Sequence, residues 1–300
     1  MEGYRLPQGP VLLADYQQLV LSAQSQEIKH FSREFLRKNR KLLTEYSNKW
    51  VADPFHHWSR QWEYPFVLRE IEYFVRETQH PALKILDAGS GITFFPFLVR
   101  QQISQSQLTC CDSDQSIQPV FTAIADRDDH TSDRTIDFFA VDLATTQLPA
   151  NRFDVIYCIS VLEHVSHYSQ IVSEFHRLLR PGGMLIITLD ISLDGYHEIT
   201  ITGAQQLLRL MQERFSSTNC INSVDLLSET WHTNNILATT HYFKQHAPHL
   251  LPWKYPWLSS MVTALRNGRL PRTMMKSLCF SCHSFIKRKS STMLEQTCQP

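Results

Sequence analysis

Apolar residues recur along this chain in two alternating rhythms. Short, nearly continuous apolar runs at 83–88, 107–112, 137–142, 153–159 and 184–190 are separated by stretches at 94–102, 114–126 and 167–180 with helical spacing. Continuous runs of that length predict strands buried on both faces. Strands that alternate with helices at this spacing predict β-α-β crossovers and a parallel sheet. The helix near 170 is the clearest, with Tyr168, Ile171, Val172, Phe175, Leu178 and Leu179 on one face and Arg180-Pro181-Gly182-Gly183 to stop it.

Ahead of the first strand, residues 26–48 place Ile28, Phe31, Phe35 and Leu42 at helical spacing in a basic background, an amphipathic helix with a solvated face. The segment Trp50 to Phe66, WVADPFHHWSRQWEYPF, gathers eight aromatic or imidazole rings around Arg60 and Glu63. A helix from Pro65, at a permitted first position, then runs to about Thr78, burying Val67, Ile71, Phe74 and Val75.

Chemistry concentrates where the first core run ends, in ILDAGSGIT at 85–93. Glycines at the tip of a parallel strand let backbone approach a ligand without an intervening Cβ, and the next helix offers free N–H groups. The second run, QLTCCD, ends at Asp112, about 20 residues on, where such folds hold a ribose hydroxyl pair. Asp142 ends a third run, and FDVIYCISVLEHV at 153–165 a fourth.

With these residues the chain resembles the class I S-adenosylmethionine-dependent methyltransferases, in particular the "type 11" group, over residues 83 to about 190. The resemblance implies a Rossmann-like α/β fold: a seven-stranded, mostly parallel sheet flanked by helices. It implies that Asp87, Gly89, Ser90 and Gly91 wrap the methionine part of the cofactor, that Asp112 binds its ribose, and that Asp142 and Leu143 contact adenine. Ser160, with Arg60 and Tyr64 of the aromatic segment, is expected beside the cofactor. Thr93 stands where many members carry a third glycine. The family's closing antiparallel pair of strands would come from NCINSVDL at 219–226 and ILATTHYFKQ at 236–245, after a helix in GAQQLLRLMQERF. The aromatic segment would fold over the cofactor as a lid or pack a helical cap on the sheet, two compatible readings. Three parts follow: an N-terminal helical extension or lid (1–80), the cofactor domain (81–245) and a basic C-terminal extension (246–300).

Composition narrows the picture. With 29 basic and 29 acidic residues among 300, no overall charge draws the protein to nucleic acid or a membrane. The tail from 246 is basic, with eight Lys or Arg against Glu295, and its apolar stripes at 257–265 and 274–278 read as a helical cap in preference to an anionic-membrane contact. No apolar stretch approaches a membrane span and the start lacks signal-peptide order, so the chain is expected in the cytoplasm. Seven cysteines suggest reduced thiols, and Cys279-Phe280-Ser281-Cys282-His283, though spaced like a haem attachment site, reads as coincidence.

For methyl transfer to a hydroxyl or amine, His164 is the first choice of general base, against the alternative that it packs beneath the next helix. His197 or Tyr196 is the second. Some ubiquinone-pathway and small-RNA methyltransferases use Glu-x-x-Glu-His to hold a divalent ion. Here the first position is Ser160, so no metal is expected and neither substrate class is favoured. The leading expectation is a small or medium-sized acceptor such as a sugar, lipid precursor or secondary metabolite, methylated at O or N. Nucleic-acid methylation, non-catalytic cofactor binding and, more remotely, a dinucleotide dehydrogenase are the rivals.

Overall fold

The computed structural model describes residues 5–49, 54–103, 105–128, 136–195, 198–218, 235–251 and 277–289. Its strands are β1 (Gly9–Pro10), β2 (Lys84–Ala88), β3 (Gln107–Asp112), β4 (Ile136–Ala140), β5 (Phe153–Ile159), β6 (Leu179–Ser192), β7 (Ile199–Thr200), β8 (Phe215–Ser217) and β9 (Leu278–Lys287). The helices used below are α1 (Leu13–Val20), α2 (Ala23–Asn39), α3 (Thr44–Lys49), α4 (Arg60–Thr78), α5 (Phe95–Gln102), α6 (Gln118–Asp128), α7 (Tyr168–Leu178) and α8 (Ile201–Arg214).

All five predicted core runs are strands of one sheet, ordered β1-β9-β6-β5-β2-β3-β4, with β7 paired to β6 and β8 to β9. Strands β4, β3, β2, β5 and β6 are parallel neighbours, and β9 runs antiparallel to β6. This is the expected Rossmann-like α/β fold, but among the described residues the sheet has nine strands where seven were expected, because the short pieces β1, β7 and β8 pair onto β6 and β9. Alternate residues of each strand serve two cores: Ile85, Val155 and Ile186 face α4 and α5, while Leu86, Ile156 and Ile187 face α7 and α8. The chain winds outward from β2 through β3 to β4, then returns to wind the other way through β5 and β6. Between β2 and β5 lies the point where parallel sheets open a crevice at their carboxyl ends.

Two flanking expectations change. Residues 236–245 form no strand: beyond a single bridge at Ile236 they coil into a π-helical turn at Thr239–Phe243, because Tyr242 and Phe243 pack edge-on against Tyr16 and Phe243 also against Trp58. The other proposed strand, 219–226, lies outside the described residues. The long antiparallel neighbour of β6 is β9, from the tail, over nine register pairs from Met184↔Ile286 to Ser192↔Leu278. The outer side of β9 is covered by two short pieces from opposite parts of the chain, β1 and β8. Residues 278–287 of the expected C-terminal extension are thus part of the sheet. The haem-like spacing is explained too: Cys279 and Cys282 point into opposite cores, and buried His283 bonds Ser281 Oγ at 2.6 Å.

Buried residues of the N-terminal part, among them Tyr16, Ile28, Phe35 and Trp62, share one hydrophobic cluster with the sheet. Helix α4 begins at Arg60, five residues before Pro65, because Trp62, Tyr64 and Phe66 are all buried and that burial outweighs a proline's interruption, about 3 kcal/mol. The amphipathic stretch at 26–48 divides into α2 and α3. Buried Glu70 of α4 pairs with Arg5 at 2.5 Å and accepts from Ser284 of β9 at 2.6 Å. Among the described residues, no helix is long and apolar enough to cross a membrane.

Because β9 lies between β6 and the outer pieces, a chain ending at residue 277 is expected to lose cooperative unfolding in a urea titration followed by circular dichroism. Phe280→Ala, at a fully buried position, is expected to lower stability by about 3–5 kcal/mol with the denaturant slope unchanged.

Candidate active site

Strand β2 delivers its chain into a tight loop in which Gly89 has φ +81° and Gly91 φ +52°, the left-handed region where a side chain is disfavoured. Space forbids one as well. A Cβ on Gly89 would stand 2.5 Å from Val161 Cγ2, and one on Gly91 2.7 Å from the Tyr46 hydroxyl. The loop is held down by Gly89 N and Ser90 N, which donate to the Cys111 carbonyl at 2.8 and 3.0 Å. At the tip of β3, Asp112 accepts from Gly91 N at 2.9 Å through Oδ2 and from Asp114 N at 3.0 Å through Oδ1. An ionised carboxylate has about four acceptor positions, so two amides leave capacity for a ligand's hydroxyls.

Above this loop a cavity of about 490 Å³ opens at the crevice between β2 and β5. All ten residues expected at the cofactor line it: Asp87, Gly89, Ser90, Gly91, Asp112, Asp142, Leu143, Ser160, Arg60 and Tyr64. Asp142 is exposed and caps Ala144 N at 2.8 Å, while Leu143 beneath it is buried. Asp87 sits opposite Tyr157 in the β2–β5 register, and the Tyr157 hydroxyl donates to it at 2.9 Å. Burial pushes the Asp87 carboxyl up to about 8; the hydrogen bond from Tyr157 opposes that and Asp112 nearby reinforces it.

The far wall comes from the N-terminal part. Arg60 and Glu63, one turn apart on α4, form an ion pair with Glu63 wholly buried. Arg60 Nη1 also donates to Ser160 Oγ at 2.7 Å, and Ser160 in turn donates to Glu63 Oε1 at 2.8 Å. Thr188 of β6 adds a bond to the same oxygen at 2.5 Å. Burial works against the Arg60 charge, but the Glu63 carboxylate wins and holds its pKa above the ordinary value. Ser160 itself has φ +48°, a left-handed conformation at the exit of β5, and its amide donates to the Thr188 carbonyl at 3.0 Å.

His164 also lines the cavity, half-exposed, with Nδ1 2.7 Å from Glu198 Oε2. The bond to Glu198 raises the His164 pKa over the opposing effect of burial. A neutral imidazole bonded this way keeps its proton on Nδ1, which leaves Nε2 as the basic nitrogen. Below it, Glu163 accepts from Asp190 N at 2.9 Å, and both carboxyls are buried. Glu163 Oε2 and Asp190 Oδ1 have no partner among the described residues, and burial raises the pKa of both groups. His197, the second candidate base, and Tyr196 lie outside the described residues.

The aromatic segment divides between the core and the cavity wall. Trp58 and Trp62 are fully buried, Trp58 packing edge-on against Phe243 and Phe280 with centroids 5.5 and 5.0 Å apart. Arg60 and Tyr64 face the cavity. Trp50 is outside the described residues. Sequence reasoning missed Tyr46, which covers the loop and accepts from Ile92 N at 3.0 Å. It also missed Thr188 and Glu198, for which the sequence holds no local signal. Among the described residues no group of three or more His, Cys, Asp or Glu is placed to hold a metal ion.

Residues 86–187 match a family model described as a methyltransferase domain. Two curated proteins named ubiquinone biosynthesis O-methyltransferase are similar. The one from Methylococcus capsulatus is 42% identical over 60 residues, 20% of this chain and 25% of that protein. The one from Actinobacillus pleuropneumoniae is 27% identical over 134 residues, 43% of this chain and 54% of that protein. The chain thus spans about half, or less, of the length of the curated relatives it matches. The crystal structure of the YcgJ protein from Bacillus subtilis is 15% identical, with 73% of this chain and 98% of that chain covered at a TM-score of 0.45.

The imidazole–carboxylate pair has a direct readout. Glu198→Gln is expected to lower the His164 pKa, visible as a downward shift of its ring resonances in an NMR titration. Because the folded-state pKa is raised, the pair's contribution to stability is full below the unfolded histidine value and fades as pH rises through the folded one.

Proposed function

From the premise that residues 86–187 form a domain of the class I S-adenosylmethionine-dependent methyltransferases, we propose that the protein transfers a methyl group to an oxygen of a small or medium-sized acceptor. The observation that carries the choice of oxygen is the His164–Glu198 pair at the cavity wall, with Nε2 left to receive a proton. A sugar, lipid precursor or secondary metabolite hydroxyl needs such a base, whereas a neutral amine does not. The names of the curated relatives favour oxygen as well.

The residues fit the cofactor. Gly89 and Gly91 line the cavity in left-handed backbone that leaves their amides uncovered by a Cβ, Asp112 has acceptor capacity for a ribose diol, and Asp142 with Leu143 offers an acceptor and an apolar surface to adenine. Arg60 provides cationic donors for the methionine carboxylate, and Tyr64 lies beside it. Bound there, S-adenosylmethionine supplies a methyl group already attached to a good leaving group.

The chain's own residues then have three tasks. The glycine loop and Asp112 fix the reacting partners in one orientation, which supplies effective molarity. Tyr46, Tyr64 and Phe95 wall the cavity against water. His164 takes the acceptor's hydroxyl proton at Nε2 while Glu198 stabilises the imidazolium that results.

Calorimetry should detect S-adenosylmethionine binding, and Asp112→Ala should weaken it about tenfold or more, since it removes hydrogen bonds to a charged group. Unchanged affinity would reject this placement of the cofactor. Mass spectrometry of a metabolite extract incubated with protein and cofactor would identify what gains a methyl group. Methylated nucleic acid, with affinity falling steeply in salt, would move the assignment to that class.

Two pH effects have definite signs. A cation bound beside Asp87 favours its ionised form, so binding near pH 7 should release a proton, measured as a dependence of the binding enthalpy on buffer ionisation. Turnover should rise with pH through the raised His164 pKa, and Glu198→Gln should move that rise to lower pH and reduce the plateau.

A further inference from the structure

Arg60 carries the only guanidinium on the cavity wall among the described residues. Its long side chain would otherwise sample many rotamers. What selects one of them is Glu63. That carboxylate is fully buried, does not line the cavity, and binds three side chains from three elements: Arg60 one turn earlier on α4, Ser160 at the exit of β5, and Thr188 on β6. Thr188 is itself fully buried in the sheet. The guanidinium is therefore located relative to the sheet that carries the glycine loop, through a carboxylate that no ligand in the cavity would touch.

We propose that Glu63 is a positioning residue that aims Arg60 at the carboxylate end of an amino-acid-bearing ligand, with Thr188 and Ser160 as the anchors that fix Glu63. The inference rests on the cofactor reading above. A simpler account, in which Glu63 only ties α4 to the sheet, makes a different prediction, since that role would affect every ligand of the cavity equally. The Ser160 turn keeps its backbone bond to the Thr188 carbonyl when Glu63 is replaced, so the floor under the adenosine end retains its anchor.

The test uses two ligands that share the adenosine and the thioether and differ at the amino-acid end. S-adenosylhomocysteine carries that end, and 5′-deoxy-5′-methylthioadenosine lacks it. By calorimetry on the full chain, Glu63→Leu should weaken S-adenosylhomocysteine about tenfold and methylthioadenosine less than about twofold. Thr188→Val, which removes one of the anchors, should weaken S-adenosylhomocysteine about threefold with the same selectivity. Glu63→Gln keeps an oxygen for the guanidinium and should recover most of the loss. Equal losses for both ligands, or unchanged S-adenosylhomocysteine affinity, would overturn the proposal. Should Glu63→Leu not fold, Thr188→Val decides alone by the same two criteria. If the unaltered protein binds neither ligand, the cofactor reading itself fails, a result distinct from selective or unselective loss in the variants.

Discussion

A carboxylate taken out of water must be given partners, and helix α4 carries two that are wholly buried, Glu63 and Glu70, two turns apart on one face. Each reaches a different part of the sheet. Glu63 meets Ser160 and Thr188 at the carboxyl ends of β5 and β6, and Glu70 meets Ser284 on β9 together with Arg5. With both pairs in place the helix has one allowed position along the sheet. The cavity wall, the seat of Trp62 in the core and the course of the N-terminal strap all follow from that position.

The crevice gathers acids at both ends, and the physical consequences differ. Asp112 and Asp142 hold backbone amides at the tips of β3 and of the segment after β4. Burial raises the carboxyls of Asp87, Glu163 and Asp190 above the ordinary carboxylate range. Such groups respond to what enters: a cation nearby draws them toward ionisation, and an apolar guest leaves them neutral. Arg60, neutralised in part by Glu63, is the counterweight that lets an anionic group enter the same space.

Sheet and loop were legible because their determinants are local. Each core strand is a short apolar run, and Asp87, Gly89, Gly91 and Asp112 sit at strand tips where sequence position alone fixes their place in space. Strand β9 was not, because LCFSCHSFIK mixes serine, histidine and cysteine, and polar groups such as the Ser284 hydroxyl are satisfied by neighbours far away in sequence, Gln8 and Glu70. Proline 65 concealed the true start of α4 and with it the one-turn spacing of Arg60 and Glu63. The partnership of Glu198 with His164 depends on the path of the chain after β6, which no periodicity encodes.

The placement of β9 bears on how the chain reaches this state during synthesis. Strands β2 to β6 can pair as they emerge, but β6 then presents an open row of backbone donors and acceptors until the segment around 278–287 has left the ribosome. Residues 9–10, made well before their partner at 281–282, must also wait for it. Closure of such sequence-distant pairs is slow, so the nascent protein spends an interval with an unguarded sheet edge, when chaperone engagement and aggregation compete with completion of the fold.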